Sequence, residues 1–286
     1  METWASKTWD LESLAREQQG IEVTVNVTPN GMGDSLIEQD GGGMMFVKPE
    51  ERRMAFEAFA DMLSNPLEHR GGIPYYSQQN DCLRTEFPKL AEDVPPFLDF
   101  AKEAFRNEPD AVNLWIGDER AVSSLHKDHY ENMFCVVRGE KIFTLLPPSD
   151  VLFLYEQEYP QGRYLQDGKG GPFRAHLEGE EQSVKWIPVD PACPDLERYP
   201  LFRYASPIQC TVREGEMLYL PSLWFHRVAQ RGVTIAVNYW HDMDFDHKFV
   251  VYNLLQGLAW RWRNNNTSSG VDQVAGLSTN HEEEEG

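Results

Sequence analysis

Short runs in which apolar and polar residues alternate recur along most of this chain. Residues 21–28 (IEVTVNVT) are the clearest case, since they are also rich in β-branched residues. Alternation of this kind predicts a half-buried β-strand. Similar runs predict further strands at 44–47, 73–79, 111–117, 123–146, 210–220 and 233–240. Within 123–146 the pattern predicts two strands joined by a turn at Gly139-Glu140.

Helical spacing of apolar residues appears mainly at the two ends of this strand-rich region. Between residues 49 and 65, Ala55, Phe59 and Met62 fall on one face of a helix. Such spacing predicts an amphipathic helix. Further helices are predicted before residue 20, at 95–105 and at 245–262.

Two segments interrupt this organisation. Residues 150–208 are irregular and rich in Gly, Pro and charge, which predicts an insertion between the two halves of the strand-rich region. Residues 264–286 are poor in apolar residues and end in an acidic run, which predicts a disordered tail.

Many short strands with helices at both ends predict one mainly β domain over 1–263. The expected fold is a double-stranded β-helix, the jelly-roll of the cupins.

Composition narrows the class of protein. The chain has 286 residues, 41% of them hydrophobic, and a formal net charge of −20. That charge argues against binding to nucleic acid and suits a basic partner, although solubility alone would also explain it. No apolar run approaches a membrane span, and the N-terminus does not resemble a secretion signal. Four cysteines without a C-x-x-C pair predict free thiols, and hence a cytoplasmic or nuclear protein that is not secreted.

The candidate chemistry is concentrated in residues 123–143 (SSLHKDHYENMFCVVRGEKIF). His126 and Asp128 would point to the same face of a strand. With His226, carried on a later strand, they would form a 2-His-1-carboxylate triad of the kind that holds non-haem Fe(II). The alternatives are solvent-facing polar positions for the pair and a core histidine for His226. His129 follows directly, so the pair alone does not decide which histidine would be a ligand, although strand geometry favours His126.

Lys141 adds to this interpretation because it lies in an otherwise apolar strand, KIFTLL. Lysine is rarely buried unless it is paired. One alternative is an exposed lysine beside a turn; the other is an ammonium group that anchors a dicarboxylate cosubstrate. Ser123, Asn132 and Asn238 could add neutral hydrogen bonds to the same ligand.

Taken together, these motifs resemble the JmjC family of Fe(II)- and 2-oxoglutarate-dependent oxygenases. The similarity is carried by AVSSLHKDHYEN, EKIFTLLPP and EMLYLPSLWFHRV, and extends over roughly residues 9–255 through WIPVDP, DLERYP and AVNYWHDM. These runs are most similar to a branch of lysyl hydroxylases that act on developmentally regulated GTP-binding proteins.

The resemblance implies a set of site residues and cofactors. Fe(II) would be held by His126, Asp128 and His226, with 2-oxoglutarate and O2 as cosubstrates. Lys141 would bind the distal carboxylate of 2-oxoglutarate. The other residues that the family places around the cosubstrate are Ser123, Tyr76, Asn132 and Asn238. Trp224 and Tyr130, next to the ligands, would border the substrate channel.

The resemblance also implies an activity and partners. The expected reaction is hydroxylation at C3 of an exposed lysine in a GTP-binding protein, with Glu131 as one candidate for contacting the lysine ammonium. The alternatives are a histone lysine demethylase or a histone-tail peptidase that uses the same metal site, and a non-catalytic cupin-like binding protein. Lys141 argues against the last of these. Family members often pair through terminal helices, so a homodimer is expected. Compared with them the N-terminus is short, which predicts either a shortened chain or another element covering a sheet edge.

Overall fold

The computed structural model describes residues 1–39, 41–68, 71–168, 170–179 and 182–268. The helices are α1 (Leu11–Glu17), α2 (Phe56–Ser64), α3 (Cys82–Glu86), α4 (Pro88–Ala91), α5 (Asp99–Phe105) and α6 (His247–Ser268). The strands are β1 (Glu22–Thr28), β2 (Met32–Gly33), β3 (Ser35–Glu38), β4 (Met44–Lys48), β5 (Glu50–Ala55), β6 (Ile73–Tyr75), β7 (Ala111–Gly117), β8 (Val122–Lys127), β9 (Tyr130–Leu146), β10 (Gln157–Gln166), β11 (Phe173–Leu177), β12 (Ser183–Trp186), β13 (Ile208–Arg213), β14 (Met217–Leu220) and β15 (Phe225–Asp242). Short 3-10 helices lie at Ala5–Thr8, Pro148–Phe153 and Pro200–Tyr204.

Two long antiparallel strands, β9 and β15, form the centre of a seven-stranded sheet, beside which lie a three-stranded sheet (β5-β1-β6) and a five-stranded sheet (β11-β10-β4-β3, with β12 paired to β10). The first half of β15 pairs with the second half of β9 and with β8, and this sheet continues to β13 and β2. The second half of β15 pairs with the first half of β9 and with β7, while β14 adds to the other edge of β9. Apolar side chains from the two halves, among them Phe134, Phe143, Val228 and Trp240, pack in one cluster. This arrangement confirms the predicted mainly β, double-stranded β-helix fold.

The predicted turn at Gly139-Glu140 is wrong, because β9 runs through it. The register between β9 and β15 shifts between Arg231 and Ile235, which divides the strand pair into its two halves. Gly139 has φ +76°, and a Cβ there would lie 2.5 Å from the carbonyl oxygen of Val233. Glycine is therefore needed for a bend within a continuous strand pair rather than for a hairpin turn.

The first half of β9 is buried almost continuously, because its outer face is covered as well as its inner face. Met133, Cys135 and Val137 pack into a large core with helix residues such as Phe59 and Leu83. The alternate side chains of β9 face the space between the sheets. Both faces of the strand are thus covered, which produces an apolar run rather than a simple alternation.

The predicted helix at 49–65 is half wrong. Residues Glu50–Ala55 form β5, antiparallel to β1, and α2 begins only at Phe56. Val25 pairs with Arg52, so the charged run EERR occupies a sheet edge. Pairing with β1, which lies distant in sequence, overrides the local helical spacing.

The segment 150–208, predicted as irregular, contains β10, β11 and β12. β10 pairs parallel to β4 and antiparallel to both β11 and β12. The interpretation of 150–208 as an insertion stays a prediction, and so does the end of the single domain at residue 263. Helix α6 extends beyond the predicted end at 262 to Ser268, so the first residues of the predicted tail are helical. The rest of that tail, 269–286, lies outside the described residues.

Two further predictions concern thiols and membranes. Cys82, Cys135, Cys193 and Cys210 are all free, as predicted. Among the described residues, no helix combines the length and apolar character needed to cross a membrane.

Candidate metal centre

Strand pairing brings the three candidate ligands together. His126 is near the end of β8, Asp128 follows that strand, and His226 lies directly opposite His126 near the start of β15. One ligand atom from each of the three lies within 4.8 Å of the others, and His226 Nε2 is 3.5 Å from Asp128 Oδ2. The backbone N–H of Leu223 donates to the Asp128 carbonyl at 2.9 Å, which ties the turn after β8 to the loop that precedes His226.

Both imidazole rings are oriented by the same local contact. His126 Nδ1 lies 2.7 Å from the carbonyl oxygen of Ser124, and His226 Nδ1 lies 3.1 Å from that of Trp224. Because a carbonyl oxygen only accepts, each Nδ1 carries the proton and each Nε2 keeps a free lone pair. His126 is also stacked on Trp186, with the ring planes 5° apart.

The charges of the cluster suit a divalent cation. Burial and the neighbouring His226 lower the pKa of His126 to about 4, so its imidazole is neutral. Burial by itself raises the pKa of Asp128, but the interactions of its carboxylate with His226 and His126 outweigh burial and lower that pKa to about 2. Two neutral imidazoles and one carboxylate are the donor set that non-haem Fe(II) takes, and these residues therefore fit that ion.

His129 does not belong to the cluster. Its ring meets Phe249 of α6 edge-on, with centroids 6.0 Å apart, and the group of potential ligands contains His126 instead. The strand ends at Lys127, so the change of direction after Asp128 turns His129 towards the C-terminal helix. The structure thus brings together the pair that strand geometry favours.

A cavity of about 390 Å³ opens onto His126 and Asp128, and it leads to an inner chamber of about 40 Å³ that all three candidate ligands line. Tyr75, Trp115 and Ser123 line both spaces, whereas Asn132 and Asn238 line only the inner chamber. Trp115 Nε1 donates to Asn238 Oδ1 at 2.8 Å, and Asn238 Nδ2 donates to Asn132 Oδ1 at 3.1 Å. Ser123, Asn132 and Asn238, three of the polar residues predicted around a cosubstrate, therefore do lie beside the triad.

Lys141 is buried in the interior, with 1% of its surface exposed. Its Nζ donates to the hydroxyl of Tyr75 at 3.1 Å and to Oε1 of Gln230. Among the described residues no carboxylate bonds to it, and burial lowers the pKa of the ammonium group to about 7. A buried lysine whose partners are all neutral is suited to an anionic ligand.

The prediction for Tyr76 needs correction. Tyr76 is fully buried in the core beneath the helices, against Phe59 and Phe87, and does not line either space. Tyr75 lines both, and its hydroxyl bonds to Ser123 and Lys141. Successive strand residues point to opposite faces, so an error of one residue assigns a core side chain to the site. The alternation in IPYY carried no signal to decide between the two.

Glu131 also lies elsewhere than predicted. It is buried, and its carboxylate accepts hydrogen bonds from the Tyr219 hydroxyl at 2.7 Å and the Ser222 hydroxyl at 2.8 Å. It does not line the cavity at the triad. Its contacts instead hold the loop that precedes His226, so Glu131 has a structural role.

Trp224 and Tyr130, predicted at the channel border, are both partly buried against the inner apolar cluster. Tyr130 stacks on Trp240, with ring centroids 4.8 Å apart, and Trp240 lines the inner chamber. Neither predicted residue lines the cavity at the triad directly.

Comparison with known proteins agrees with this geometry. The cupin-like domain family matches residues 1–247. The human protein named Bifunctional peptidase and (3S)-lysyl hydroxylase JMJD7 is 43% identical over 254 residues, which cover 89% of this chain and 78% of the relative. The Arabidopsis thaliana protein named Lysine-specific demethylase JMJ32 is 41% identical, over 87% and 77%. The Dictyostelium discoideum JmjC domain-containing protein E is 40% identical, over 90% and 80%.

Proposed function

This chain belongs to the family of cupin-like JmjC domains, and on that premise we propose that it is an Fe(II)- and 2-oxoglutarate-dependent protein hydroxylase. The observation that carries the proposal is the combination of a His-Asp-His cluster, in which His226 is buried and the other two residues are half-buried, with a buried lysine that has no carboxylate partner among the described residues. A binding module without catalysis has no need of such a lysine. The cluster alone would also suit simple metal storage.

His126, Asp128 and His226 would hold the iron through two Nε2 atoms and one carboxylate oxygen. Asp128 remains ionised and both histidines are held in the correct tautomer, so the chain needs no rearrangement to receive a cation. When bound, Fe(II) and 2-oxoglutarate activate O2, with oxidative decarboxylation of 2-oxoglutarate to succinate and CO2.

The chain's own residues would bind and orient the cosubstrate. Lys141 supplies the positive charge for the distal carboxylate, and the hydroxyls of Tyr75 and Ser123 supply neutral hydrogen bonds beside it. Asn132 and Asn238 line the inner chamber and complete its polar wall. Tyr75 takes the role predicted for Tyr76.

The substrate we propose is a protein with an exposed lysine, hydroxylated at C3. The human relative is named for a (3S)-lysyl hydroxylase activity, and the sequence resemblance points to a developmentally regulated GTP-binding protein. The test is intact-mass analysis of peptides that tile such a protein, incubated with the enzyme, Fe(II), ascorbate and 2-oxoglutarate. A gain of about 16 Da, one oxygen atom, that requires 2-oxoglutarate is expected.

Two variants complete this test. Asp128→Ala and His126→Ala remove one ligand each and are expected to abolish the mass gain, because the remaining pair holds Fe(II) poorly. His129→Ala is the matched control, since His129 lies outside the cluster. Full activity of Asp128→Ala would refute the metal assignment, and absence of both mass gain and succinate with the parent chain would refute the hydroxylase.

A demethylase is the second candidate, because the Arabidopsis thaliana relative is named for that activity. The same site would then act on an N-methyl group, and a methylated lysine peptide would lose about 14 Da per methyl group under the same cofactor dependence. The human relative's name also includes a peptidase. Peptide cleavage that persists without 2-oxoglutarate would support that reading.

We also propose that two chains pair through α6 in the cytoplasm or nucleus. Val251, Leu254 and Leu258 share one face of this helix and are each about half exposed or more. Apolar residues spaced three and four apart on an open helix face are typical of a helix-helix interface. The free thiols suit a reducing compartment.

A further inference from the structure

Within the described part of the chain, the cavity above the triad contains one charged side chain without a direct ion-pair partner. Apart from Tyr75, its lining includes four ionisable residues: Asp34, His126, Lys127 and Asp128. His126 and Asp128 belong to the metal cluster, and Lys127 Nζ is bonded at 2.6 Å to Glu156 on the far side. Asp34 remains, and among the described residues no donor bonds to its carboxylate.

Asp34 is held in position by its backbone. β2 lies parallel to β8 with Gly33 beside Ser123, and the Ser124 hydroxyl donates to the Asp34 carbonyl at 2.5 Å. Its φ of +50° is unusual for a residue with a side chain, and such strain is concentrated at functional sites. Ser124 precedes His126 by two residues, so Asp34 lies about 7 Å from the metal cluster along the strand direction.

The nearest cations do not satisfy this carboxylate. Lys48 and Arg163 affect Asp34 electrostatically, but Lys48 is bonded to Glu178. Arg163 is bonded to Glu178 at 2.8 Å and to Glu51 at 3.1 Å. Burial accordingly raises the pKa of Asp34 to about 6, which leaves it mostly ionised at neutral pH but poorly compensated.

The wall beside Asp34 is aromatic. Phe46 and Trp186 both line the cavity, with ring centroids 4.6 Å apart, and Trp186 also stacks on His126. An apolar wall that leads from the metal cluster to a lone carboxylate suits a ligand with an aliphatic stem and a cationic end. In lysine, C3 and Nζ are about 5 Å apart when the side chain is extended, as its bond lengths require. This span matches the separation between the cluster and Asp34 in order of magnitude.

We propose that Asp34 determines substrate specificity by binding the ammonium group of the target lysine, while Phe46 and Trp186 contact its methylene groups. This inference rests on the proposed function, because it takes the reacting carbon to lie at the metal cluster. It predicts a preference for unmodified lysine, whose three N–H donors suit a carboxylate. A trimethylated lysine keeps the charge but offers no donor.

The test is a titration that does not require turnover. The protein is loaded with Mn(II) and 2-oxoglutarate without O2, and titrated with the tiling peptide that binds it most tightly. The same titration uses a twin peptide with norleucine, which lacks only the amino group. The variants are Asp34→Asn, which keeps the size and suits positive φ, and Glu38→Gln, which removes one charge from an exposed residue paired with Arg198.

We expect the parent chain and Glu38→Gln to prefer the lysine peptide by about 30-fold or more, as is usual for a charge-assisted hydrogen bond. Asp34→Asn is expected to bind both peptides nearly equally, because its neutral amide offers no charge to the ammonium group. Equal binding of both peptides by the parent, or an unchanged preference in Asp34→Asn, would overturn the inference. Loss of all succinate formation in the parent would overturn the hydroxylase instead, so the two failures are distinguishable.

Discussion

Replacing Asp34 by Asn is expected to stabilise the protein at alkaline pH. Burial raises the pKa of Asp34 from its ordinary value of 3.8 to about 6. Each pH unit between the two values is worth about 1.4 kcal/mol, so the ionised carboxylate costs the fold about 3 kcal/mol above pH 6. Asparagine removes the charge, has the same size and tolerates the φ of +50°.

The raised pKa of Asp34 determines in which direction the stability difference changes with pH. Between pH 3.8 and 6 the folded state binds more protons at Asp34 than the unfolded state does, so the parent chain loses stability as pH rises through this window. The advantage of Asp34→Asn is therefore expected to be about 1 kcal/mol at pH 4.5 and about 3 kcal/mol at pH 8. Lys48, Arg163 and Glu51 are the charged groups that act on Asp34 in the folded protein, and all three are present in both the parent chain and Asp34→Asn.

The assay is urea unfolding followed by circular dichroism, with the metal removed by EDTA so that ion binding does not contribute. Glu38→Gln is the control, and its free energy of unfolding is expected to change by no more than about 0.5 kcal/mol, as for most surface substitutions. A stability difference for Asp34→Asn that is negative at pH 8, or that is the same at pH 4.5 and pH 8, would refute the reasoning. The expected combination of greater stability with lost lysine binding is typical of a functional residue.

Four further substitutions test the neighbouring proposals. Lys141→Met is expected to weaken 2-oxoglutarate binding to the Mn(II)-loaded protein by at least about 10-fold. In the parent chain, 2-oxoglutarate binding at pH 8 is expected to take up a proton, because the Lys141 pKa of about 7 rises when a carboxylate pairs with the ammonium group. Calorimetry in two buffers would detect this uptake, and Lys141→Met is expected to abolish it. Unchanged affinity in Lys141→Met would contradict the role of Lys141 in binding the cosubstrate. Tyr75→Phe is expected to weaken this binding several-fold and Tyr76→Phe to leave it unchanged, so equal effects would contradict the correction made above. Leu254→Glu is expected to convert a dimer into a monomer in light-scattering measurements, and a parent chain that is itself monomeric would refute pairing through α6.

Local patterns in the sequence predicted much of the fold. Strands β1 and β7 fall where alternation and buried β-branched runs placed them, because these patterns record which faces of a strand are covered. His126 and Asp128 were paired from their spacing of two residues, and although β8 ends at Lys127, residues so close in sequence need no knowledge of the rest of the chain. The unpaired cysteines likewise followed from their spacing.

Other features depended on contacts between distant segments. Glu50–Ala55 has helical spacing but forms a strand because β1 offers an edge to pair with. Gly139 resembles a turn residue but lies in a bend where β9 meets Val233 of β15. In both cases the local preference is weak, and pairing that is remote in sequence outweighs it.

The site divides in the same way. The sequence by itself determined which residue types can bind a cation and an anion, because His, Asp and Lys carry that chemistry wherever they lie. Only the tertiary structure decided that Tyr75 rather than Tyr76 meets Lys141, since strand register sets which face is turned inwards. It alone brought Asp34 beside the metal cluster, because β2 and β8 become neighbours only when the chain folds.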